Sequence, residues 1–306
     1  MAHVLFVFHD GVGIGANDAA SNPFIEAEIP VWRGLAGGDW PTLDDAAPRH
    51  SQHATVLGAD ATLGVPGEPQ SGTGTTALLT GENAPAQYGR HMGPFPPSAL
   101  KPLLREKNLF SQIAALGGRI AFANAYPPFY LERLERGRAR RTTCTQAALA
   151  AGLTLRGYEA LRDGQALSSW ITNEHWRRFD ADIPDVSPFE AGENLARLAL
   201  GHEFTLFEYF HTDHSGHRPG MAEAHAALQR LDGLLAGIIG TIDPERDLLV
   251  TAADHGNFEE QRHSRHTTNP ALVTVWGKGH REVAAGIAAI TDIAPALLGW
   301  LADNGR

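Results

Sequence analysis

Five hydroxyl side chains crowd one short stretch, PQSGTGTTALLTG at residues 69–81: Ser71, Thr73, Thr75, Thr76 and Thr80. Such a stretch could cradle a phosphate, start a helix or hold a nucleophile. The glycine spacing in GEPQSGT (67–73) approaches the phosphate-loop pattern G-x-x-x-x-G-K-[ST], but Thr73 stands where the lysine belongs. Without that lysine the loop has no charge to set against a phosphate, and the phosphate-loop reading fails. A helix start capped by Ser71 or Thr73 remains. It is compatible with anion binding, because a helix N-terminus points amide hydrogens at an anion.

Four further places carry ligand-type side chains. They are Asp10 after VLFVFH, Asp213 and His217 in HTDHSGHR (211–218), Asp254 and His255 in ADHGN (253–257), and the histidines of QRHSRHTTNP (261–270). Carboxylate and imidazole together suit zinc, manganese and related divalent ions. Each piece alone has an ordinary reading: an aspartate after a strand is more often a turn residue or cap, DHG can be a turn, and 261–266 can be a solvated loop. Four independent strand-end positions with the same ligand chemistry are hard to obtain from turn statistics. Glu208, inside an apolar strand, reads as structural. His9, His211, His214 and His263 receive no role, and His263 is the rival of His266, which directly precedes TTNP.

The elements that must position these groups follow from apolar runs. VLFVF (4–8), ATVLG (54–58), RIAFAN (119–124), FTLFEYFH (204–211), DLLVTAADHG (247–256) and ALVTVWG (271–277) read as strands, several buried on both faces. Helices are expected over 73–80 with Gly81 as the stop, 108–116, 188–200 behind a Ser187-x-x-Glu190 capping box, 221–238 and 291–302. Residues 85–97 read as loop. The alternation predicts an α/β fold with a mainly parallel sheet and helices on both faces. Residues 1–123 and 187–306 form its core, and 124–186 form a small, mostly helical cap insertion.

Composition narrows the function classes. The chain has 306 residues and a formal charge of −10, from 35 acidic against 25 basic side chains. That argues against a general nucleic-acid or membrane-surface binder, though a bound metal can reverse the local sign at a site. Cys144 is the single cysteine, so no intrachain disulfide can form. MAHVLFVFHDG has no basic leader and too short an apolar run for a membrane span, and the expected location is the cytoplasm.

The ordered set Asp10, Ser71, Asp213 with His217, Asp254 with His255, then His266 resembles the alkaline phosphatase superfamily of two-metal enzymes. The likeness is greatest to the cofactor-independent phosphoglycerate mutase and phosphopentomutase branch. ADHGN followed by HTTNP, and TDIAP at 291–295, also fit that branch. The resemblance covers roughly 1–123 and 187–306. It places the nucleophile ten residues before the glycine of Thr80-Gly81, which is Ser71. It implies two divalent ions, manganese or zinc. Asp213, His217 and His266 would hold one ion; Asp10, Asp254, His255 and Ser71 would hold the other. The implied activity is phosphoryl transfer from small phosphate monoesters through a phosphoserine, by a phosphatase or alternatively a phosphomutase. A member that binds metal or ligand without turnover is a third reading. Arg140 and Arg141 are candidate contacts to a substrate phosphate or carboxylate, set against a solvated helix face. The chain departs from the branch at Thr75, where those relatives have histidine.

Overall fold

The run VLFVFH folds as β1, Val4–His9, with every side chain buried. A strand apolar at consecutive positions must be covered on both faces. In the computed structural model, which describes residues 2–179 and 182–305, β1 lies inside the sheet between two later strands. The other strands are β2 Arg49–His50, β3 Ala54–Ala59, β4 Ile120–Phe122, β5 Phe204–Tyr209, β6 Leu248–Ala252 and β7 Ala271–Gly277. Among the described residues they form one sheet in the order β2-β3-β7-β6-β1-β5-β4.

The neighbours β4, β5, β1 and β6 all run parallel. β7 turns back antiparallel to β6, β3 is antiparallel to β7, and β2 to β3. The parallel character thus belongs to the half of the sheet whose strand ends carry Asp10, Asp213 and Asp254. The other half reverses because the segment 253–270 returns without a crossover helix, which a parallel partner would need.

Two groups of helices pack around the sheet. Pro188–Ala199, Met221–Ile239 and Pro30–Leu35 make one; Ser71–Thr80, Lys101–Lys107, Leu109–Ala115, Thr143–Ala150 and Ile293–Asn304 make the other. The Ser187–Glu190 capping box forms as read. The helix expected from Thr73 begins two residues earlier, at Ser71, and ends at Gly81 in a left-handed conformation.

Outside the insertion, five short helices among the described residues were not legible, two of them Pro30–Leu35 and His280–Ala285. Ala84–Tyr88 overlaps the start of the stretch read as loop, with Asn83 accepting from the Ala86 amide. Lys101–Lys107 precedes the expected helix, and Asn108 both ends it and caps the next. His211–Gly216 replaces the loop expected after β5.

Among the described residues of 124–186 the helices and strands are all helical: Pro128–Glu135, Thr143–Ala150, Tyr158–Arg162 and one 3-10 turn at Glu174–Trp176. Cys144, Ala147 and Ala148 join the main core, whereas Ala125, Leu161, Ala166, Trp176 and Ile183 form a small cluster of their own. No helix among the described residues is long and apolar enough to cross a membrane.

Candidate active site

Asp10, Asp213 and Asp254 follow the C-terminal ends of the adjacent strands β1, β5 and β6, where α/β sheets build their sites. The Asp10 amide donates to the Tyr209 carbonyl, and the Thr212 hydroxyl donates to the Asp10 carbonyl at 2.6 Å. The turn after β1 is thereby tied to the helix His211–Gly216. That helix puts Asp213 and His217 four positions apart on one side.

The helix Ser71–Thr80 enters against this rim through its glycines. A Cβ on Gly74 would lie 2.9 Å from the Asp254 carbonyl oxygen, and one on Gly72 only 2.3 Å from that of Phe95. The hydroxyls then sort themselves. Thr76 and Thr80 donate to the carbonyls of Gly72 and Thr76. Thr73 donates to the Gln70 carbonyl and accepts from the Met92 amide. Thr75 donates to Asp254 Oδ2 at 2.6 Å. Ser71 alone of the five meets a ring nitrogen, with Oγ 3.0 Å from His255 Nε2.

Six side chains predicted from the sequence gather in two groups, Asp213 with His217 and His266, and Asp10 with Asp254 and His255. In each group the ligand atoms lie within 4.8 Å of one another. His217 Nε2 and His266 Nε2 are 3.1 Å apart, and each is 3.5 Å from Asp213 Oδ1. His255 Nε2 is 3.4 Å from Asp10 Oδ1 and 3.6 Å from Asp254 Oδ1. The groups are contiguous, since the His255 and His266 rings stack with centroids 3.9 Å apart.

The donor set fits divalent cations. His217 Nδ1 lies 2.8 Å from the Ser264 carbonyl, His266 Nδ1 2.7 Å from that of Pro69 and His255 Nδ1 3.2 Å from that of Gly256. A carbonyl only accepts, so each Nδ1 carries a proton, and each Nε2 faces inward, the atom through which such a ring binds a metal. The His217 and His266 Nε2 atoms, 3.1 Å apart, are spaced to share one positive centre, a proton or a cation. Asp10 Oδ1 and Asp254 Oδ1 are buried and have no hydrogen-bond partner. Burial, with the nearby Asp254 and Asp213 carboxylates, pushes the Asp10 carboxyl well above its ordinary range. Burial, with the neighbouring His255, lowers His266 to about 4. A buried carboxyl raised by its neighbouring carboxylates and a histidine lowered by burial are what cation binding resolves.

A supporting layer was missed in the sequence. Asn257 Nδ2 donates to Asp213 Oδ1 at 2.7 Å. The Glu259 carboxylate, 1% exposed, accepts from the amides of Gly13 and Asn257, from Asn269 Nδ2 and from the Thr267 hydroxyl. It fastens the loops after β1 and β6 to the one before β7. Nothing in the pair Glu259-Glu260 says which holds the loops; Glu260, half-buried, pairs with Arg262.

The unassigned groups also have places. His263 lies outside both groups, its Nδ1 accepting from the Arg265 amide. His9 Nε2 meets the Thr251 hydroxyl. His211 is covered by Trp170, with ring centroids 3.8 Å apart, and Trp170 also stacks on His175. Glu208 is buried, accepts from the Thr142 hydroxyl at 2.9 Å, and is raised to about 7, chiefly by burial. Arg140 and Arg141 are not among the two groups. They line a cavity of about 240 Å³ with Phe95, Lys101 and Gln146.

Comparison with known proteins agrees with this geometry. A family model described as the Metalloenzyme superfamily matches residues 1–301. The 2,3-bisphosphoglycerate-independent phosphoglycerate mutase of Methylobacillus flagellatus is 27% identical over 127 residues, 39% of this chain and 25% of that protein. The protein of the same name from Rhodopseudomonas palustris is 31% identical over 124 residues, 38% of this chain and 24% of its own length. The match therefore spans about a quarter of those relatives. Among solved structures, the PH0037 protein from Pyrococcus horikoshii superposes with a TM-score of 0.59 at 13% identity, covering 98% of this chain and 97% of that one. A cold-active alkaline phosphatase from Shewanella sp. gives 0.54 at 14% identity, covering 98% and 100%. At such identities the structural likeness is one of fold.

Proposed function

The chain belongs to the Metalloenzyme superfamily, and from that premise we propose that it transfers phosphoryl groups from small phosphate monoesters through a phosphoserine at Ser71, acting as a phosphatase. The observation that carries this reading is the Ser71 hydroxyl, 3.0 Å from His255 Nε2, beside two groups of three donors each. In the reading, Asp213, His217 and His266 hold one divalent ion. Asp10, Asp254, His255 and the Ser71 oxygen hold a second, and manganese or zinc suits both sets. Such ions, when bound, supply Lewis-acid polarisation of the phosphoryl oxygens.

The chain's own residues do the rest. The glycines at 72 and 74 let the helix Ser71–Thr80 press onto the rim, which fixes the nucleophile's backbone. Its N-terminal turn favours an anion by aligned amide dipoles. Thr75 and Asn257 hold Asp254 and Asp213 in fixed rotamers through the hydrogen bonds described above. Asp254 and His255 are fully buried while His217 is exposed, so substrate approaches from the Asp213–His217 side. Ser71 Oγ attacks phosphorus, the bond to the ester oxygen breaks, and the departing alcohol takes up a proton. Water then attacks the phosphoserine and releases phosphate.

The names of the curated relatives favour a second reading, a phosphomutase, in which the product's other hydroxyl recaptures the phosphoryl group. Incubation with phosphorylated glycerates or sugars separates the two. Free phosphate is the expected product, and positional transfer without phosphate release would move the assignment to a mutase. Ser71→Ala should abolish turnover while the protein still binds metal. Undiminished turnover by that variant would sink the nucleophile assignment.

A further inference from the structure

Ile171 has a positive φ of 69° although it is β-branched, a backbone state that such side chains avoid. It is 1% exposed. Strain of this kind persists where the surroundings dictate it, and it gathers at functional positions. Here the surroundings are specific. Leu167 pairs with Asn124 just past the end of β4. Its amide donates to the Ala123 carbonyl and its carbonyl accepts from the Ala125 amide, both at 2.8 Å. The chain then turns tightly: the Ile171 amide donates to the Ser168 carbonyl at 2.9 Å, and the Trp170 amide to the Ser168 hydroxyl at 3.2 Å.

Trp170 lies inside that turn, and both faces of its ring system are taken. The His175 ring stacks on it at 3.7 Å between centroids and 13° between planes, and the His211 ring covers it at 3.8 Å. Two rings cannot share one face at those distances. His214 makes a third, edge-on contact. An indole closed on both faces has none left for a ligand, so Trp170 acts on the protein rather than on a substrate ring.

What it acts on is the helix His211–Gly216. His211 and His214, three positions apart, present one side of that helix to Trp170. Asp213 and His217, four apart, present another side to His266. So short a helix holds no shape alone, and a clamp on the first side sets where the second side points. The far edge of His211 is also held, with Nε2 3.1 Å from Glu223 Oε1. The turn that brings Trp170 belongs to the insertion, next to its separate cluster of Leu161, Ala166 and Trp176.

We propose that Trp170 is a positioning residue for the ion held by Asp213, His217 and His266. Set between His175 and His211 by the strained turn at Ile171, it fixes the tilt of the helix His211–Gly216 and with it the two ligands that this helix carries. The insertion is thereby part of the metal centre. The proposal rests on the two-ion reading in taking those three side chains as ligands.

Calorimetric titration of chelator-treated protein with manganese tests this. Trp170→Ala should weaken one of the two ions by roughly ten-fold, the usual effect of losing a group that orients a ligand from behind, and leave the other unchanged. Trp170→Phe, which keeps a ring between the two histidines, should recover most of that loss. Leu161→Ala loosens the insertion's own cluster and should lower Tm while leaving both affinities as they are. With Asp213→Asn already in place, Trp170→Ala should cost nothing further at the ion that remains. If Trp170→Ala does not fold, His175→Ala replaces it, with the same one-ion loss expected. Unchanged affinities, an equal loss at both ions, or the same loss in Leu161→Ala would overturn the proposal. If the wild-type protein takes up neither manganese nor zinc, the ligand reading falls and hydrogen exchange decides the clamp. The amides of His214 and His217 donate to the Phe210 and Asp213 carbonyls. In metal-free Trp170→Ala they should exchange roughly ten-fold faster, while those of the helix Met221–Ile239 keep their rates. Unaltered protection at His214 and His217 would reject the clamp.

Discussion

Replacing Thr75 by valine probes the one hydroxyl of the helix Ser71–Thr80 that reaches a ligand-type carboxylate. Valine keeps the shape of threonine and removes one hydrogen-bond donor. That donor reaches Asp254 Oδ2 at 2.6 Å, and the other carboxylate oxygen, Oδ1, has no hydrogen-bond partner within the protein. Asp254 is 0% exposed, so water cannot take the donor's place. A hydrogen bond to a buried charged acceptor contributes about 1.5–3 kcal/mol. The metal-free variant should therefore lose about 2 kcal/mol, or about 4 °C in Tm for a chain of this size. With Asp254 no longer held, metal affinity should fall by roughly 10- to 100-fold. Thr75→Ser separates the donor from the packing: it keeps the hydroxyl and loses one buried methyl, costing about 1 kcal/mol. The assay is activity and Tm during titration of chelator-treated protein with manganese or zinc. The reasoning predicts that serine titrates like wild type and that valine needs at least ten-fold more metal. A valine variant with the wild-type titration curve would refute it, because Thr75 would then contribute nothing to holding Asp254.

Other perturbations have equally definite outcomes. Glu208 keeps its proton up to about pH 7 in the folded chain but releases it near 4.5 once unfolded. Its contribution to stability is therefore present below pH 4.5 and lost as pH rises through 7, by about 2 kcal/mol between pH 5.5 and 8. Urea unfolding of metal-free Glu208→Gln should lack that slope; an unchanged slope would reject the assignment. Gly72→Ala would push a methyl group against two backbone carbonyls, those of Phe95 and Met92. It should cost about 1–3 kcal/mol and displace Ser71, so thermal melts and turnover should fall together. Metal analysis of gently purified protein should approach two ions per chain. Chelation should abolish turnover until manganese or zinc is restored, and a content near zero would remove the basis of the ligand assignment.

The sequence made the buried strands legible because a two-face-buried strand has no polar alternation to confuse with a surface helix, as in VLFVFH and LLVTA. The six ligand-type side chains were legible for a related reason: each group adjoins such a strand. Strand direction was not. Nothing in ALVTVWG says that it runs against β6; the course of the chain between them decides it. The helix His211–Gly216 was also hidden. HTDHSG has no apolar periodicity and several poor helix formers. Tertiary contacts hold the helix instead, through the Thr212 hydroxyl on the Asp10 carbonyl and Trp170 against His211. The supporting role of Glu259 escaped because its four donors come from positions 13, 257, 267 and 269. Only folding brings the first of these near the others.

The interior place of β1 also governs how the chain can acquire its shape. Val4 pairs with Phe204 on one side and Leu248 on the other, so β1 must wait for partners some two hundred residues downstream. At roughly 5–20 residues per second on the ribosome, that wait is about 10–40 s, during which an apolar strand with two open edges needs cover from chaperones or transient contacts. Asp10 cannot meet Asp254 and His255 until β6 has docked beside β1, so that group of ligands is incomplete until late in synthesis. A bound ion would lock β1 to β6, and refolding should be slow and concentration-sensitive because every neighbour of β1 is distant in sequence.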